Sequence, residues 1–385
     1  MSEERPNKWP APGKVTVDAI AAKFNEEISA AISSGCKPKL VGLLSNEDPA
    51  GEVYARMTKR AMEKVGIEYE LRRPERLGLE KAILDANEDP SVHGILTYYP
   101  VFGGGKDAYL RDVISIEKDV EGLSHRYCYS LYHNIRHIEG SDDNKKCVLP
   151  CTPLACVKVL ESLGAYQLQQ PVGKQLRGRT VIIYNRSEVV GRPLAAMLAN
   201  DGALVYSVDE FGMLVYSAGA VHGSIKVEET DKSVESALAS ADIVVGGVPA
   251  KSFKIEAQKL KPGAICINVA QHMNFGDGTE TKCVLVPAVG KVTIAILARN
   301  LLRLYRNFHA PAPSTTERLL AKVKRSPVRT LGTVLTIAAL GVGIFYAGFL
   351  YGRPRPSALS RVGYPYAHPT APAHTQVGYP YARPS

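Results

Sequence analysis

The sequence lacks several features that would assign it to other classes of protein. Its seven cysteines are odd in number and contain no C-x-x-C pair, and no histidine stands at finger-like spacing among Cys147, Cys151 and Cys156. This predicts free thiols in a reducing compartment, with neither a disulfide framework nor a metal site. The N-terminal stretch MSEERPNKWPAPG has no apolar core and no arginine-rich amphipathic run, so no secretory or mitochondrial import signal is expected there.

Acidic residues are absent after Glu317. Nine lysines and arginines follow it, and taking them from the total of 47 leaves 38 basic against 38 acidic residues in positions 1–317. The net charge of +9 therefore belongs to the C-terminal tail, and it gives no argument for nucleic-acid binding by the rest of the chain. A length of 385 residues is too great for one small core and favours two α/β domains.

Short apolar runs alternate with segments of helical periodicity along most of the chain. The predicted strands lie near 40–44, 69–71, 94–98, 180–184, 203–208, 243–245 and 264–269. The predicted helices lie near 15–33, 52–65, 79–86, 152–163, 193–200 and 293–307. This alternation predicts parallel sheets covered by helices on both faces. Thr152 is expected to cap the helix that follows it, and Gly164 is expected to end it. Residues 124–147 interrupt the rhythm and are predicted to form a loop or excursion.

The fold class that follows is α/β with two domains. We predict an N-terminal domain over 1–150 and a Rossmann-type dinucleotide-binding domain over 151–292. The helix at 293–307 carries an apolar face and is expected to return and pack on the first domain.

The C-terminal region has a different composition. Residues 308–330 are rich in Pro and Ala and then basic, which predicts a linker. Residues 331–351 contain 21 positions without a charge, enough to cross a bilayer as a helix of about 1.5 Å per residue. Residues 352–385 repeat the motif VGYPYA and are expected to be disordered. A tail joined from a neighbouring reading frame by an incorrect gene model is the alternative.

The stretch from Val181 to Asp209 is the most informative part of the chain. A buried strand leads into a polar turn, then Gly191 and a helix, then a second strand that ends in an acid. This is the layout of a dinucleotide site, in which the acid accepts hydrogen bonds from the adenosine ribose hydroxyls. A 2′-phosphate would meet a like charge there, so NAD is favoured over NADP. Alternatively, Asp209 only caps the next element.

Several separated motifs resemble one known family. They are NRSEVVGRP at 185–193, with Asn in place of the family's first Gly, Tyr54 on a helix, GILTYYP at 94–100, KDVEGL at 118–123, PCTP at 150–153 and VPAVGKVTIA at 286–295. The chain resembles the methylenetetrahydrofolate dehydrogenase/cyclohydrolases from about 15 to 307, most of all their monofunctional, NAD-dependent fungal branch. The resemblance implies a folate cleft between two α/β domains, a homodimer, and cytoplasmic one-carbon metabolism that supports purine synthesis.

The resemblance also implies a set of site residues. It places Tyr54, Thr58 and Cys151 in the catalytic cleft, and Tyr54, Tyr98 and Glu121 against the folate. The residues expected near NAD are Arg186, Ser187, Val208, Asp209, Gly247 and Ala270. Three of these roles have plain alternatives: Cys151 as a packing thiol, Tyr98 as a space-filling residue, and Arg186 in a surface ion pair.

Departures from the family pattern bear on the reaction. The bifunctional members have a Lys four residues after the helix Tyr, where this chain has Thr58, and Lys59 is turned ~100° away from Tyr54 on a helix. Tyr98 replaces a Gln, and Glu121 replaces an Asp. Removing hydride from the bridging methylene requires orientation and no base, whereas hydrolysis of the resulting cation requires proton transfers. These departures therefore predict hydride transfer to NAD without cyclohydrolase activity.

Two other functions remain compatible with the sequence. One is a different Rossmann-type NAD dehydrogenase, for example one acting on amino or hydroxy acids. Such a reaction needs a His or Lys base, and none stands out in the matched motifs. The other is a non-catalytic, membrane-tethered member of the family.

Overall fold

The structure is a computed structural model that describes residues 9–138, 145–221 and 223–310. The predicted membrane span at 331–351, the tail at 352–385 and positions 311–330 of the linker lie outside these ranges. Within the described ranges, no helix combines the length and the apolar character that crossing a bilayer requires.

The first part of the chain is built on a small parallel sheet. After a two-residue strand, β1 (Gly13–Lys14), its strands are β2 (Lys39–Leu43), β3 (Glu68–Arg72) and β4 (Gly94–Thr97). They lie in the order β3–β2–β4. The helices are α1 (Asp18–Ser33), α2 (Pro49–Lys64), α3 (Leu79–Glu88) and α4 (Gly104–Val113). Both β2 and β4 are almost wholly buried, which explains why their sequences are continuous apolar runs.

The second part of the chain forms an eight-stranded sheet. Its further strands are β5 (Thr180–Tyr184), β6 (Leu204–Asp209), β7 (Gly212–Ala218), β8 (Ile225–Glu229), β9 (Ile243–Gly246), β10 (Ile265–Asn268) and β11 (Val284–Val286). The helices are α5 (His125–Tyr132), α6 (Cys151–Ser162), α7 (Gly191–Asn200), α8 (Val234–Ser240), α9 (Thr279–Lys282) and α10 (Gly290–Leu304). The strand order is β1–β11–β10–β9–β5–β6–β7–β8. This is a two-domain α/β fold with a Rossmann-like second domain, as predicted.

The ends of the described chain link the two sheets. Strand β1 pairs in parallel with β11, so residues near the N-terminus belong to the larger sheet. Just before β1, the indole N–H of Trp9 donates to the carbonyl oxygen of Gly263. Helix α10 packs against α1, α2 and α6, and 11 of its 15 residues are buried. It therefore contacts elements of both parts of the chain.

Three details of the sequence prediction are wrong. Residues 124–147 are not simply a loop, because α5 occupies the start of this region and buries Tyr127 and Leu131. The sheet is not wholly parallel, because β7 and β8 form an antiparallel hairpin at one edge. Helix α6 begins at Cys151 after Pro150, and no described side chain caps it, so Thr152 is not its cap. The expected end of that helix is correct, since Gly164 follows it with φ +77°.

Candidate functional site

The turn after β5 approaches the start of α7 very closely. A Cβ atom on Gly191 would lie 1.9 Å from the carbonyl oxygen of Asn185, so only glycine fits. Asn185 has a φ of 81°, in the left-handed region that Asn tolerates better than most side chains. Its amide also donates to the carbonyl oxygen of Gly247 at 2.7 Å. The Asn that replaces the family's first Gly therefore keeps the tight turn that brings backbone N–H groups towards a phosphate.

Arg186 is held entirely by groups of the protein around the end of β6. Its guanidinium pairs with Asp209 at 3.0 Å and is only 7% exposed. It also donates to the carbonyl oxygens of Ser207 and Gly212, both at 2.8 Å, and to the Ser207 hydroxyl at 3.2 Å. Arg186 thus forms a mostly buried ion pair with Asp209, instead of the surface pair considered as the alternative. Few of its N–H donors remain for a ligand.

Ser187 organises the start of α7. Its hydroxyl oxygen accepts from the backbone N–H groups of Val190 and Gly191 at 3.3 and 3.4 Å. It therefore satisfies donors that the first turn of the helix leaves unpaired.

These residues line a cleft of about 670 Å³ along the carboxyl ends of β5, β6 and β9. Its lining residues are Tyr184, Asn185, Arg186, Ser187, Val208, Asp209, Glu210, Phe211, Val248, Pro249, Ala250 and Phe253. Four predicted cofactor residues, Arg186, Ser187, Val208 and Asp209, are thus brought together. An acidic end, a helix N-terminus and an apolar wall in one cleft fit a dinucleotide.

The other two predicted cofactor residues are not among the residues that line this cleft. Gly247 lies directly beside it, after β9, where its N–H donates to the carbonyl oxygen of Tyr184 at 3.1 Å. Ala270 follows β10, and its carbonyl oxygen accepts from the Asn268 amide at 2.9 Å. Both stand after strand ends as expected, and Gly247 has a packing reason to be Gly, since a Cβ there would lie 3.1 Å from the Tyr184 oxygen.

Two charged residues of the KDVEGL motif fix the backbone of the loop that follows α4. The buried Lys118 ammonium donates to the carbonyl oxygens of three residues at the end of α3, at 2.7 to 3.0 Å. The buried Asp119 carboxylate accepts from the N–H groups of Glu121, Gly122 and Ser124. Loss of solvation lowers the pKa of Lys118 and raises the pKa of Asp119. These contacts hold in place the turn that carries Glu121.

Glu121 is the carboxyl group whose ionisation this environment disturbs most clearly. Loss of solvation, and then the charge of Asp119, raise its pKa to about 8, against a smaller opposing effect of Arg111. Burial raises the pKa values of Tyr54 and Cys151, and the charge of Glu121 adds to both shifts, which places the three side chains in one neighbourhood. A ligand offering two N–H donors would favour the carboxylate form.

Three tyrosines from separate parts of the chain meet, and one of them, Tyr54, lies near Glu121. The rings of Tyr54 and Tyr98 pack edge to face with their centroids 5.9 Å apart. The Tyr98 hydroxyl lies 2.8 Å from the hydroxyl of Tyr69 on β3. A Cβ atom on Gly42 of β2 would lie 2.3 Å from that Tyr69 oxygen, so glycine makes room for it. Tyr98 is therefore a hydrogen-bonded part of the site as well as a space-filling residue. Tyr69 is not predicted as a site residue, because no motif or periodic pattern in the sequence distinguishes it.

Thr58 and Lys59 point in different directions. Thr58 is fully buried near Tyr98, where burial raises the pKa of the Tyr98 phenol and the Thr58 hydroxyl only slightly opposes that rise. The Lys59 side chain is 57% exposed and its ammonium lies 3.8 Å from Glu63 on the outer face of α2. The position next to Tyr98 is thus occupied by a hydroxyl, and the neighbouring amine faces solvent, as the helical geometry predicts.

Cys151 is a buried thiol. It is 8% exposed, and its Sγ lies 3.5 Å from the Val120 carbonyl oxygen. The Asn300 amide of α10 donates to the carbonyl oxygens of Val120 and Leu149, both at 2.9 Å, and lies 3.6 Å from Cys151 Sγ. Burial raises the pKa of the thiol far above its usual value, so it stays protonated and is a poor nucleophile. All seven cysteines are free thiols, as predicted.

Several buried oxygens near these residues have no hydrogen-bond partner among the described residues. They belong to Ser45, Asn46, Thr58, Thr97, Tyr99 and Ser124. Ser45 and Asn46 follow β2, Thr97 ends β4, and Tyr99 follows β4. Four of the six residues therefore stand at the carboxyl ends of strands of the small sheet. Buried polar atoms without partners are costly, which fits a place where a polar ligand binds. The sequence analysis missed Thr97 and Tyr99, although the ends of parallel strands are a general signal.

Comparison with known families accounts for both halves of this site. Residues 12–121 match the family described as tetrahydrofolate dehydrogenase/cyclohydrolase, catalytic domain, and residues 150–309 match its NAD(P)-binding domain. The chain belongs to the tetrahydrofolate dehydrogenase/cyclohydrolase family. The first matched region ends at Glu121 and the second contains Asp209, so each matched domain includes one of the two groups of site residues.

Individual members of this family are closely similar to the chain. A Dictyostelium discoideum protein named methylenetetrahydrofolate dehydrogenase [NAD(+)] is 50% identical over 296 residues, which is 77% of this chain and 95% of that protein. A Saccharomyces cerevisiae protein of the same name is 44% identical over 314 residues, covering 77% and 97%. The solved structure of the Saccharomyces cerevisiae NAD-dependent 5,10-methylenetetrahydrofolate dehydrogenase has a TM-score of 0.73 and covers 77% of this chain and 98% of its own.

Proposed function

We propose that this protein oxidises 5,10-methylenetetrahydrofolate to 5,10-methenyltetrahydrofolate with NAD as the hydride acceptor, in the one-carbon metabolism that supports purine synthesis. It has no cyclohydrolase activity. The observation that supports the proposal is the cleft lined by Asp209, Ser187 and the start of α7. Relatives 44% to 50% identical to the chain bear the name of the NAD-dependent enzyme.

The cofactor part of the proposal rests on Asp209 and Arg186. The Asp209 carboxylate accepts from the ribose hydroxyls of the adenosine half, as its place at the end of β6 suggests. A 2′-phosphate would meet this charge, and Arg186 is already committed to Asp209 and to two backbone carbonyls. The residues present therefore fit NAD better than NADP. When bound, NAD supplies the acceptor for the hydride, while Ser187 and the start of α7 orient its phosphates.

The substrate part of the proposal rests on Glu121 and Tyr54. The Glu121 carboxylate accepts two N–H donors of the pterin ring, which fixes the ring in one orientation. Tyr54 and the Tyr98–Tyr69 hydroxyl pair form the wall against which the folate lies. Hydride removal leaves a cation delocalised over N5 and N10 and releases no proton, so orientation is what this reaction requires. Cys151 is a packing thiol, because no step of this reaction needs a nucleophile and burial keeps the thiol protonated.

Loss of the hydrolytic step follows from the side chains near Tyr98. Adding water to the methenyl cation and opening the ring requires a group that moves protons. Thr58 has only a hydroxyl, Lys59 faces Glu63 at the surface, and the Lys118 ammonium is engaged by three carbonyl oxygens. None of these three side chains supplies an amine to the site.

The test is a spectrophotometric assay of purified protein with methylenetetrahydrofolate and either NAD or NADP. Reduction of NAD is expected, with much weaker reduction of NADP. Conversion of the methenyl compound to 10-formyltetrahydrofolate at a rate comparable to the oxidation would refute the monofunctional assignment. Glu121→Ala should raise the KM for folate far more than the KM for NAD, and equal effects on both would count against its role.

The remaining organisation is also proposed. The domains extend over 1–150 with helix 293–307, and over 151–292, and the enzyme is a cytoplasmic homodimer, which should run at twice the 41.7 kDa of the chain in light scattering. For residues 331–351, which lie outside the described ranges, we propose a membrane anchor, supported by 21 uncharged positions in the sequence. Recovery of the full-length native protein from the soluble fraction would exclude the anchor.

A further inference from the structure

One apolar side chain at the dinucleotide cleft is left almost bare. Phe211 is 87% exposed, the largest fraction among the large hydrophobic residues that the structure describes. Single exposed apolar residues are common and need no explanation by themselves. Phe211, however, belongs to the lining of the 670 Å³ cleft, two positions after Asp209. Its exposure therefore concerns the site and not an arbitrary stretch of surface.

The turn that carries Phe211 is fixed from several sides. The Phe211 N–H donates to Asp209 Oδ1 at 2.9 Å, while the other oxygen of Asp209 pairs with Arg186 at 3.0 Å. Arg186 also donates to the carbonyl oxygen of Gly212, which has a φ of 126° that favours glycine. The Asp209 side chain before Phe211 and the Gly212 carbonyl oxygen after it thus bind the same guanidinium. A bare aromatic ring on a rigid turn is preorganised for a contact.

The opposite wall of the cleft is apolar as well. Val248, Pro249, Ala250 and Phe253 line it after β9, and Phe253 packs on Tyr184 with ring centroids 5.5 Å apart. Between this wall and Phe211 lies space suited to a flat, largely apolar group. The carboxylate next to Phe211 is the one that meets the adenosine ribose in the proposed function, and the base of that nucleoside is attached to the same sugar.

We propose that Phe211 stacks on the adenine ring of the dinucleotide and fixes the adenosine half of the cofactor. This inference rests on the proposed use of NAD. Stacking of a base on an aromatic side chain contributes enough to change binding about tenfold or more. Because the contact lies at the end of the cofactor remote from the nicotinamide, it should act on cofactor binding and leave the hydride transfer step unchanged.

The experiment combines steady-state kinetics with a direct binding measurement on the full-length protein. Phe211→Ala should raise the KM for NAD about tenfold, with kcat within about twofold and an unchanged KM for folate, and Phe211→Tyr should restore the parental value. Leu77→Ala is the matched control, since Leu77 is 83% exposed and lies in the first part of the chain, away from the cleft. It should change none of these constants.

The binding measurement uses Phe211→Trp and ADP-ribose, which contains adenine but no nicotinamide. The chain has one native tryptophan, Trp9, held at Gly263 outside the cleft, so an added indole at 211 can be followed by its fluorescence. We expect saturable quenching that NAD competes away. No quenching, or an unchanged KM for NAD in Phe211→Ala, would overturn the role of Phe211 even if folate oxidation is found. Quenching without any folate oxidation would instead reject the proposed function and retain the stacking role.

Discussion

Replacing Glu121 by Gln should make the protein more stable at alkaline pH while impairing its reaction. The pKa of Glu121 is raised from an ordinary value near 4.5 to about 8. Between these two pH values the unfolded chain releases a proton that the folded chain keeps, so the free energy of unfolding falls as the pH rises from 4.5 to 8. At one pKa unit per 1.36 kcal/mol, the full penalty above pH 8 is at most about 5 kcal/mol. Gln cannot ionise and removes this penalty.

The assay is urea-induced unfolding of the parent and the variant at several pH values from 5 to 9. At the acidic end the two free energies of unfolding should be similar, and at the alkaline end the variant should be more stable by an amount approaching about 5 kcal/mol. Glu117→Gln serves as the control, because it removes an exposed carboxylate of the same loop and its effect should be nearly constant with pH. A Glu121→Gln effect that is equally flat would refute the reasoning.

The same substitution has a functional counterpart. Binding of the pterin donors requires the carboxylate, so below pH 8 binding must displace a proton from Glu121. The KM of the parent for folate should therefore fall as the pH rises towards 8, by up to about tenfold per unit, whereas the KM of Glu121→Gln should be high and independent of pH. Parallel pH profiles for the two proteins would show that Glu121 does not titrate on binding.

Three further substitutions test the packing of the site. Gly42→Ala puts a methyl group against the Tyr69 hydroxyl. It should lower the free energy of unfolding in urea by about 1–3 kcal/mol and raise the KM for folate. An unchanged KM would contradict the link between Tyr69 and the site. In Gly191→Ala the added methyl group would clash with the carbonyl oxygen of Asn185, so the free energy of unfolding should fall by more than about 3 kcal/mol. An easily purified, fully active variant would contradict the tight turn. Lys118→Met leaves three carbonyl oxygens without their donor and should cost about 1–3 kcal/mol, and a neutral effect would deny that role.

The sequence predicts the fold well wherever each element follows from its own residues. Strand β5 has the predicted bounds, because TVIIY is an uninterrupted apolar run between turns. The hairpin of β7 and β8 was missed because its strands are partly exposed and lie outside the strand–helix alternation. Helix α5 was missed because its apolar face is short and surrounded by polar residues.

The sequence predicts those site residues that belong to a recognisable local motif. The carboxylates Asp209 and Glu121 could be found from motifs, since each follows a recognisable pattern at a strand end or loop. The main charged partner of Glu121, Asp119, lies in the same motif, but other contacts around the site join distant positions and could not be predicted. Asn300 meets Val120 across 180 residues, and Tyr69 of β3 meets Tyr98, just after β4, across the intervening strand β2; such contacts leave no periodic signal in the sequence. The ion pair and backbone contacts of Arg186 were not predicted either, since one of its partner carbonyls, that of Gly212, belongs to the unpredicted hairpin.

The Asn300 amide has a consequence for how the protein is made. It joins the loop of Val120 to the residues around Leu149 and Cys151, yet it is contributed by α10, the last helix that the structure describes. During synthesis the loop of Val120 and the start of α6 leave the ribosome well over a hundred residues before Asn300, whose side chain joins them. A nascent chain stalled ahead of α10 would contain both the Glu121 turn and the cleft beside Asp209, and still lack the amide that joins the Val120 loop to the start of α6.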